Sequence, residues 1–112
     1  MRPSSSKAKG RLLQQWVRDL LLDIFPVLEK DDVRSTGMGQ SGEDIQLSPA
    51  ARKLIPYSIE CKNRTTISVY AWYKQSKSNT PKGSEPVLVI KQNRDKPLVV
   101  IDAEYFFKEF SK

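Results

Sequence analysis

Two short segments of the chain contain the residues with the most evident chemistry. Asp44 begins a stretch of alternating polar and apolar residues, and a second such stretch contains Glu60 and Lys62 with Cys61 between them. Alternate side chains of a strand share a face, so Glu60 and Lys62 point the same way and Cys61 points the other way. If the apolar residues of both segments face the core, the two carboxylates and the ammonium group share the opposite face as close neighbours.

Two carboxylates this close together favour a divalent cation between them, because the cation relieves their mutual repulsion. The chain has no histidine, so a metal must be held by oxygen, which indicates Mg²⁺ with Mn²⁺ as a substitute. Such a metal stabilises charge on an attacked phosphate, and an adjacent lysine can orient or deprotonate a water. The spacing alone favours a simpler interpretation, an ordinary ion pair of Lys62 with Glu60 or Asp44.

The residues that are missing exclude other chemistry. Without histidine the chain cannot use a Ser-His-Asp or Cys-His arrangement, and its single cysteine excludes an internal disulfide and a multi-cysteine zinc site. That cysteine, Cys61, is a conceivable nucleophile. Its position on the apolar face of the strand favours a small core residue instead.

Composition indicates one small basic domain. The chain has 112 residues and a formal net charge of +6, which favours a polyanionic partner such as DNA or RNA, although basic residues also simply promote solubility. A hydrophobic fraction of 38% permits a packed core, but charge interrupts it too often for a membrane span. The first residues are basic with no apolar run behind them, unlike a secretory signal. We expect a flexible basic tail over residues 1–9, a domain over residues 10–112, and a cytoplasmic location.

Hydrophobic periodicity predicts the elements that must position these residues. Helices are predicted over residues 11–25, 67–76 and 103–110, and strands over 30–35, 44–47, 56–63, 86–90 and 97–101. A loop covers residues 36–42, a turn or loop opens at Ser48-Pro49, and the last two strands form a hairpin. Near-continuous Val, Leu and Ile in that hairpin predict strands covered on both faces.

The order of elements predicts the fold class. A helix, three strands, a helix, two strands and a final helix are typical of a single three-layer α/β domain with a central mixed five-stranded sheet flanked by helices. Trp16 is predicted to lie in the core, on the apolar face of the first helix. Trp72 and Tyr73 fit either core or dimer packing, with stacking against nucleic acid as the alternative.

Three glycines match the spacing of a dinucleotide-binding loop. Gly37, Gly39 and Gly42 fit the pattern GxGxxG, but that motif needs a preceding strand and a following helix. Here a strand is predicted to follow. We therefore expect no nucleotide cofactor, and assign the glycines to backbone freedom near a charged site.

The pattern Asp44…Glu60-Cys61-Lys62, together with the order of elements, resembles the signature of the PD-(D/E)XK nuclease superfamily. Within it the likeness is to Holliday junction resolvase-like nucleases, including small phage-encoded ones, and extends over about residues 9–110. It includes flanking residues at three places: Lys9-Gly10 before the first helix, Ser41-Gly42 before the aspartate, and Gln75 in the helix after the Glu-X-Lys strand.

The resemblance implies a role for each site residue. Asp44, Glu60 and the backbone carbonyl of Cys61 would hold the metal, and Lys62 would act in catalysis together with Gln75. The chain departs from the family in two places. Glu43 replaces the proline before the aspartate, and Gln14 stands where these resolvases carry a glutamate in the first helix. Gln14 could reach a metal-bound water, but it brings no charge.

These inferences together predict a Mg²⁺-dependent, structure-specific endonuclease with a restriction-endonuclease-like core. The resemblance implies a homodimer acting on branched DNA such as a four-way junction, in the cytoplasm of a bacterial or phage-infected cell. Two symmetric cuts in one junction fit a dimer. One alternative is the same chemistry on nicked, mismatched or flapped DNA. Another is a basic nucleic-acid-binding module without catalysis.

Overall fold

The computed structural model of the chain describes residues 5–36 and 42–112. Its helices are α1 (Ser5–Ile24), α2 (Pro49–Leu54), α3 (Val69–Ser78) and α4 (Ala103–Phe110). Its strands are β1 (Val33–Ser35), β2 (Ile45–Leu47), β3 (Tyr57–Asn63), β4 (Glu85–Lys91) and β5 (Leu98–Val100), and a 3₁₀ turn covers Lys30–Asp32. Within the described ranges, no helix is long and apolar enough to cross a membrane.

The strands form two sheets. Strands β1 and β2 are an antiparallel pair, while β3 pairs with β4 in parallel and β4 pairs with β5 antiparallel. The α/β class is therefore confirmed, and the prediction of one five-stranded sheet is wrong. The backbone ladder stops between β2 and β3, where the side chain of Asp44, not a backbone carbonyl, accepts the hydrogen bond of the Cys61 amide.

Helices α1 and α3 pack against opposite faces of β3. Helix α1 contacts β3 and β1, and α3 is the crossover between the parallel strands β3 and β4. Ile59 and Cys61 lie in the same hydrophobic core as Leu13 of α1. Glu60 points the other way and contacts Asn79 at the end of α3. This alternation confirms the predicted orientation of β3, with Cys61 facing the core.

Only a narrow stripe of α1 is buried. Leu13 and Val17 are buried and contribute to the core, whereas Trp16 is 48% exposed and Leu20 and Ile24 are also exposed. The prediction of Trp16 as a core residue is therefore wrong. The sheet covers one side of this helix, and the residues at spacing of four along its flank remain outside the contact.

Several element boundaries differ from the prediction. Helix α1 begins at Ser5, so the boundary expected between the tail and the domain, at residues 9 and 10, falls inside this helix. The turn expected at Ser48-Pro49 begins helix α2 instead, because the Ser48 hydroxyl accepts a hydrogen bond from the Ala51 amide at 3.1 Å and proline suits the first turn. Gly37, Gly39 and Ser41 lie outside the described residues.

The C-terminal hairpin differs most in burial. Strand β4 is largely buried, as its apolar run predicts, but Leu98 and Val99 of β5 are exposed. Strand β5 lies at the edge of its sheet. The prediction that both faces of this strand are covered is therefore wrong. Helix α4 has the predicted bounds, and its N-cap Asp102 accepts a hydrogen bond from the Tyr105 backbone amide at 2.8 Å.

Candidate metal centre

Asp44 is fixed by hydrogen bonds on its backbone and on its side chain. Its amide donates to the Ile59 carbonyl at 3.2 Å, and its carbonyl accepts from the amide and the hydroxyl of Thr36 at 2.9 and 3.1 Å. Its Oδ2 accepts from the Cys61 amide at 2.7 Å. Asp44 therefore joins the end of β1 to the free edge of β3, and its carboxylate has a defined position.

Glu60 lies in the middle of β3 and is only 5% exposed. Asn79 lies at the C-terminal end of α3, and its side-chain nitrogen Nδ2 lies 3.5 Å from Glu60 Oε1. Lys62 Nζ lies 4.0 Å from Glu60 Oε2, which is an ionic contact but too long for a hydrogen bond. The Lys62 side chain is 15% exposed. Asp44, Glu60 and Lys62 thus lie together, as the sequence pattern predicts.

The electrostatics of this cluster are unbalanced, since two acids face one base. Burial, followed by the neighbouring Asp44 carboxylate, raises the pKa of Glu60 to about 7. Burial also raises the pKa of Asp44, against the opposing effects of the Cys61 amide and the Lys62 ammonium. An ordinary ion pair would lower the pKa of the carboxyl groups. The simple ion-pair interpretation therefore explains the contact between Lys62 and Glu60 but not the second, partly buried carboxyl group of Asp44.

Cys61 contributes its backbone to the site and its side chain to the core. The thiol is buried among core residues, and burial, with Asp44 and Glu60 nearby, raises its pKa. The thiolate is the nucleophilic form of cysteine, so this environment opposes the nucleophile interpretation. In an extended strand the N–H and C=O of one residue point to the same edge. The Cys61 carbonyl therefore lies on the edge of β3 that faces Asp44.

A second acidic residue beside the cluster has a different environment. The Glu43 carboxylate forms an ion pair with Arg52 of α2, and Arg52 also donates to the Ser84 hydroxyl at 3.2 Å. Gly42, which precedes Glu43, has a φ of +93°, a conformation that favours glycine. This pair anchors the segment leading into Asp44. Arg52 and Asn79 could not be predicted from the sequence as neighbours of the site, because their partners Glu43 and Glu60 are distant in sequence.

The two glutamines of the predicted site have contrasting positions. Gln14 on α1 is 4% exposed, and within residues 5–36 and 42–112 its Oε1 has no hydrogen-bond partner. Gln75 is exposed on α3, one turn before Asn79. Residues four apart share a helix face, so Gln75 lies on the side of α3 that bears the contact to Glu60.

The donors of this cluster suit a hard cation. Two carboxyl groups and a strand-edge carbonyl provide oxygen ligands of the kind that Mg²⁺ and Mn²⁺ prefer, and burial raises the pKa of both acids although the Lys62 ammonium opposes it. In the described part of the chain, no group of three or more His, Cys, Asp or Glu side chains is arranged to hold a metal. A metal here would depend on two side chains, backbone and water.

Comparison of the chain with protein-family models, curated proteins and solved structures found no match.

Proposed function

We propose that the chain is a metal-dependent DNA endonuclease of the PD-(D/E)XK type, with Asp44, Glu60 and Lys62 as its active site. One observation supports this above the others. Two carboxyl groups with raised pKa values lie together in a largely buried position, with a single lysine beside them. Perturbed titratable groups of this kind are typical of functional sites.

The metal would be held by the Asp44 and Glu60 carboxylates and by the Cys61 carbonyl. The Asp44 carboxylate is already aligned by the Cys61 amide, and the carbonyl of the same residue lies on the same strand edge. When bound, Mg²⁺ supplies Lewis-acid stabilisation of a phosphate oxygen and lowers the pKa of a coordinated water. Because the pKa values of these carboxyl groups are raised, protons compete with the metal for them, so metal binding would strengthen with rising pH.

The protein's own groups would position the nucleophile. The Lys62 ammonium lies beside Glu60, where it can orient an attacking water and stabilise negative charge that develops on the phosphate. Gln75 shares a helix face with Asn79 and could contact the substrate from the exposed side of the site. Gln14 lies on α1, against the face of β3 opposite Glu60, and its uncharged amide stands where nucleases of this type carry an acid.

The proposed substrate is branched DNA, and the proposed assembly is a homodimer. The net charge of +6 favours a polyanion, and the resemblance to junction resolvases favours a four-way junction. Two sites are needed for two symmetric cuts. Exposed apolar residues at the C-terminal end of the chain provide a surface that a second copy would cover: Leu98, Val99, Phe106, Phe107 and Phe110.

The fold supports a restriction-endonuclease-like core whose strands form two small sheets instead of one. Helices lie on both faces of the β3–β4 pair, and β2 approaches β3 through Asp44 rather than through a continuous ladder. The same chemistry acting on nicked, mismatched or flapped DNA remains the alternative in which only the substrate differs. A basic binding module without catalysis is the alternative from another functional class.

The test is cleavage of a labelled four-way junction beside a linear duplex of the same sequence, each with Mg²⁺ and with EDTA. We expect Mg²⁺-dependent cleavage of the junction and little cleavage of the duplex. Cleavage of nicked or flapped DNA in preference to the junction would support the first alternative. Binding of all these DNAs without cleavage, in Mg²⁺ and in Mn²⁺, would contradict the nuclease and leave the binding module.

A further inference from the structure

An open cavity of about 360 Å³ lies where the N-terminal half of α1 meets the C-terminal ends of β3 and β4 and the turn of the β4–β5 hairpin. It is separate from the metal centre, because it lies on the α1 side of the sheet and Glu60 lies on the α3 side. Its walls combine an aromatic ring, cations and a buried amide: Trp16, Leu12, Lys9, Lys91, Arg94 and Asn63.

Trp16 gives the cavity a flat apolar wall. Its side chain is 48% exposed, and Leu12, one turn earlier on α1, is also exposed and lines the same cavity. The ring therefore offers a flat apolar surface on which a planar group can stack. Nucleobases stack on tryptophan irrespective of their sequence, because every base has a π face.

Three cations line the same cavity as this ring. Lys9 comes from α1, Lys91 from the end of β4 and Arg94 from the hairpin turn. Arg94 has a φ of +69° and is the one non-glycine residue of the described chain with a positive φ. The side-chain amide of Gln92 donates a hydrogen bond to the Asp95 carboxylate at 2.7 Å, which closes the turn around Arg94. The turn therefore holds a strained residue in a defined place. Cations around an aromatic surface are typical of sites that bind a phosphate together with its base.

Asn63 adds a polar group with unused capacity. It is 7% exposed and lines the cavity, and its amide nitrogen lies 3.4 Å from the Lys9 carbonyl. Its Oδ1 is buried and has no hydrogen-bond partner in the part of the chain that the structure describes. Buried acceptors are normally paired with protein or water, so this oxygen can still accept a hydrogen bond. The ring and exocyclic N–H groups of a nucleobase are donors of the required kind.

The position of the cavity relates it to the metal centre. Asn63 directly follows Lys62 on β3 and lies three residues after Glu60. At about 3.3 Å per residue this is about 10 Å, roughly the length of three stacked nucleotides of one strand. Because the cavity and the metal centre lie on opposite faces of the sheet, a strand with a phosphate at the metal centre would pass around the C-terminal end of β3 to reach the cavity.

We infer that this cavity receives an unpaired DNA base, which stacks on Trp16 while the surrounding cations bind its backbone. The inference rests on the proposed function, since it names the substrate feature that the same nuclease would hold. The volume is near the lower end of the range for ligand pockets. A base reaches the ring only when it has left its own stack, as at a junction, flap or single strand.

The test measures equilibrium binding without divalent metal, so that it does not depend on cleavage. The probes are a labelled 12-nucleotide oligothymidine and a duplex of the same length. We expect Trp16→Ala to weaken oligothymidine binding about tenfold, in line with the loss of one stacked base, and duplex binding by less than twofold. Trp16→Phe should restore most of the loss. Leu20→Ala is the matched control, because Leu20 is exposed one turn along the same helix flank and does not line the cavity.

A spectroscopic readout separates stacking from a structural effect. The chain has two tryptophans, so Trp72→Phe leaves Trp16 as the sole indole. We expect oligothymidine to quench its emission and the duplex to leave it nearly unchanged. No loss of affinity in Trp16→Ala, an equal loss for both probes, or no quenching would each overturn the inference. If these results hold but the parent protein cuts no DNA, the base-binding cavity stands and the nuclease proposal is the part that fails.

Discussion

Glu43 and Asp44 are consecutive acidic residues in contrasting environments. The Glu43 carboxylate has its own counter-ion, Arg52, which a hydrogen bond to Ser84 holds in place. The Asp44 carboxylate instead accepts from a backbone amide and shares a single lysine with Glu60. The first environment is electrically neutral, and the second carries an excess of negative charge.

This difference separates a structural ion pair from a site prepared for a ligand. A largely buried acid paired with arginine already has its counter-charge, and removing that partner is costly because a charge is left uncompensated. Two buried acids beside one lysine are destabilised until a proton or a cation joins them. We therefore expect changes at Arg52 to act on stability, and changes at Lys62 and Glu60 to act on chemistry and metal binding.

The largest expected effect is on the cleavage rate of Lys62→Ala. Loss of a group that orients water and stabilises transition-state charge should lower the rate about a hundredfold or more, while junction affinity changes little because one charge among many is removed. The measurement is single-turnover cleavage beside a binding titration in Ca²⁺. Lys108→Ala is the matched control, since Lys108 is exposed in a surface pair with Glu104. Cleavage at the parent rate by Lys62→Ala would show that the active site is not the one proposed.

The second effect concerns the stability that the ion pair of Glu43 with Arg52 provides. Arg52→Ala leaves the Glu43 carboxylate buried without its counter-ion, and should lower the free energy of unfolding by about 2–3 kcal/mol. Adding Glu43→Gln to that variant should recover much of the loss, because the stranded charge is then removed. Urea unfolding of the two variants measures both values. A stable Arg52→Ala protein with strongly reduced cleavage would contradict the assignment of this pair to structure.

The third prediction uses pH to detect the excess negative charge. The pKa of Glu60 is raised from an ordinary value of 4.5 to about 7, so the folded state binds this proton more tightly than the unfolded chain does. The corresponding stability is present at pH 4.5 and below and is lost as the pH rises through about 7. We expect metal-free Glu60→Gln to be more stable than the parent at pH 8 by roughly 1–2 kcal/mol, or several degrees in Tm, and the difference to shrink at pH 5.

Thermal unfolding in EDTA at both pH values measures this difference, and addition of Mn²⁺ at pH 8 provides the complementary result. Mn²⁺ should stabilise the parent protein and have little effect on Glu60→Gln, because the ligand set is then incomplete. The same pH dependence in both proteins would show that Glu60 does not carry the raised pKa.

The sequence was sufficient to predict the residues that depend on local pattern. Alternation along residues 56–63 placed Glu60 and Lys62 on one face and Cys61 on the core face, and the bounds of α4 followed from its periodicity. The short helix α2 was missed, although Ser48-Pro49 is also a typical helix start.

What could not be predicted depends on tertiary contacts. Apolar spacing placed Trp16 on the core-facing side of α1, but the width of the contact with the sheet decides which flank of a helix is buried. The apolar sequence around Leu98 and Val99 is typical of a buried strand, and only the strand order shows that these residues lie at the edge of the sheet. The partners of Glu43 and Glu60, Arg52 and Asn79, come from other elements and leave no local signal.

The smallest expected effect is at Asn79, whose amide nitrogen lies 3.5 Å from Glu60 Oε1. This is a long contact to an acidic group, so it should orient Glu60 for the metal rather than contribute much energy. We expect Asn79→Ala to weaken Mn²⁺ binding about three- to fivefold, which corresponds to roughly 0.6–1 kcal/mol. The cleavage rate at saturating metal should be nearly unchanged. Calorimetric titration with Mn²⁺ and single-turnover cleavage separate the two effects.

Two matched variants define what this result means. Ser78→Ala removes a neighbouring side chain that bonds only to the Gln75 carbonyl in the described structure, and should leave Mn²⁺ affinity unchanged. Asn79→Asp places a third carboxylate beside Glu60 and should raise the pKa of that group further, so that Mn²⁺ binding becomes more dependent on pH. If Asn79→Ala instead lowered the rate as strongly as Lys62→Ala at saturating metal, Asn79 would contact the reacting groups directly. The unbalanced cluster would then include the end of α3.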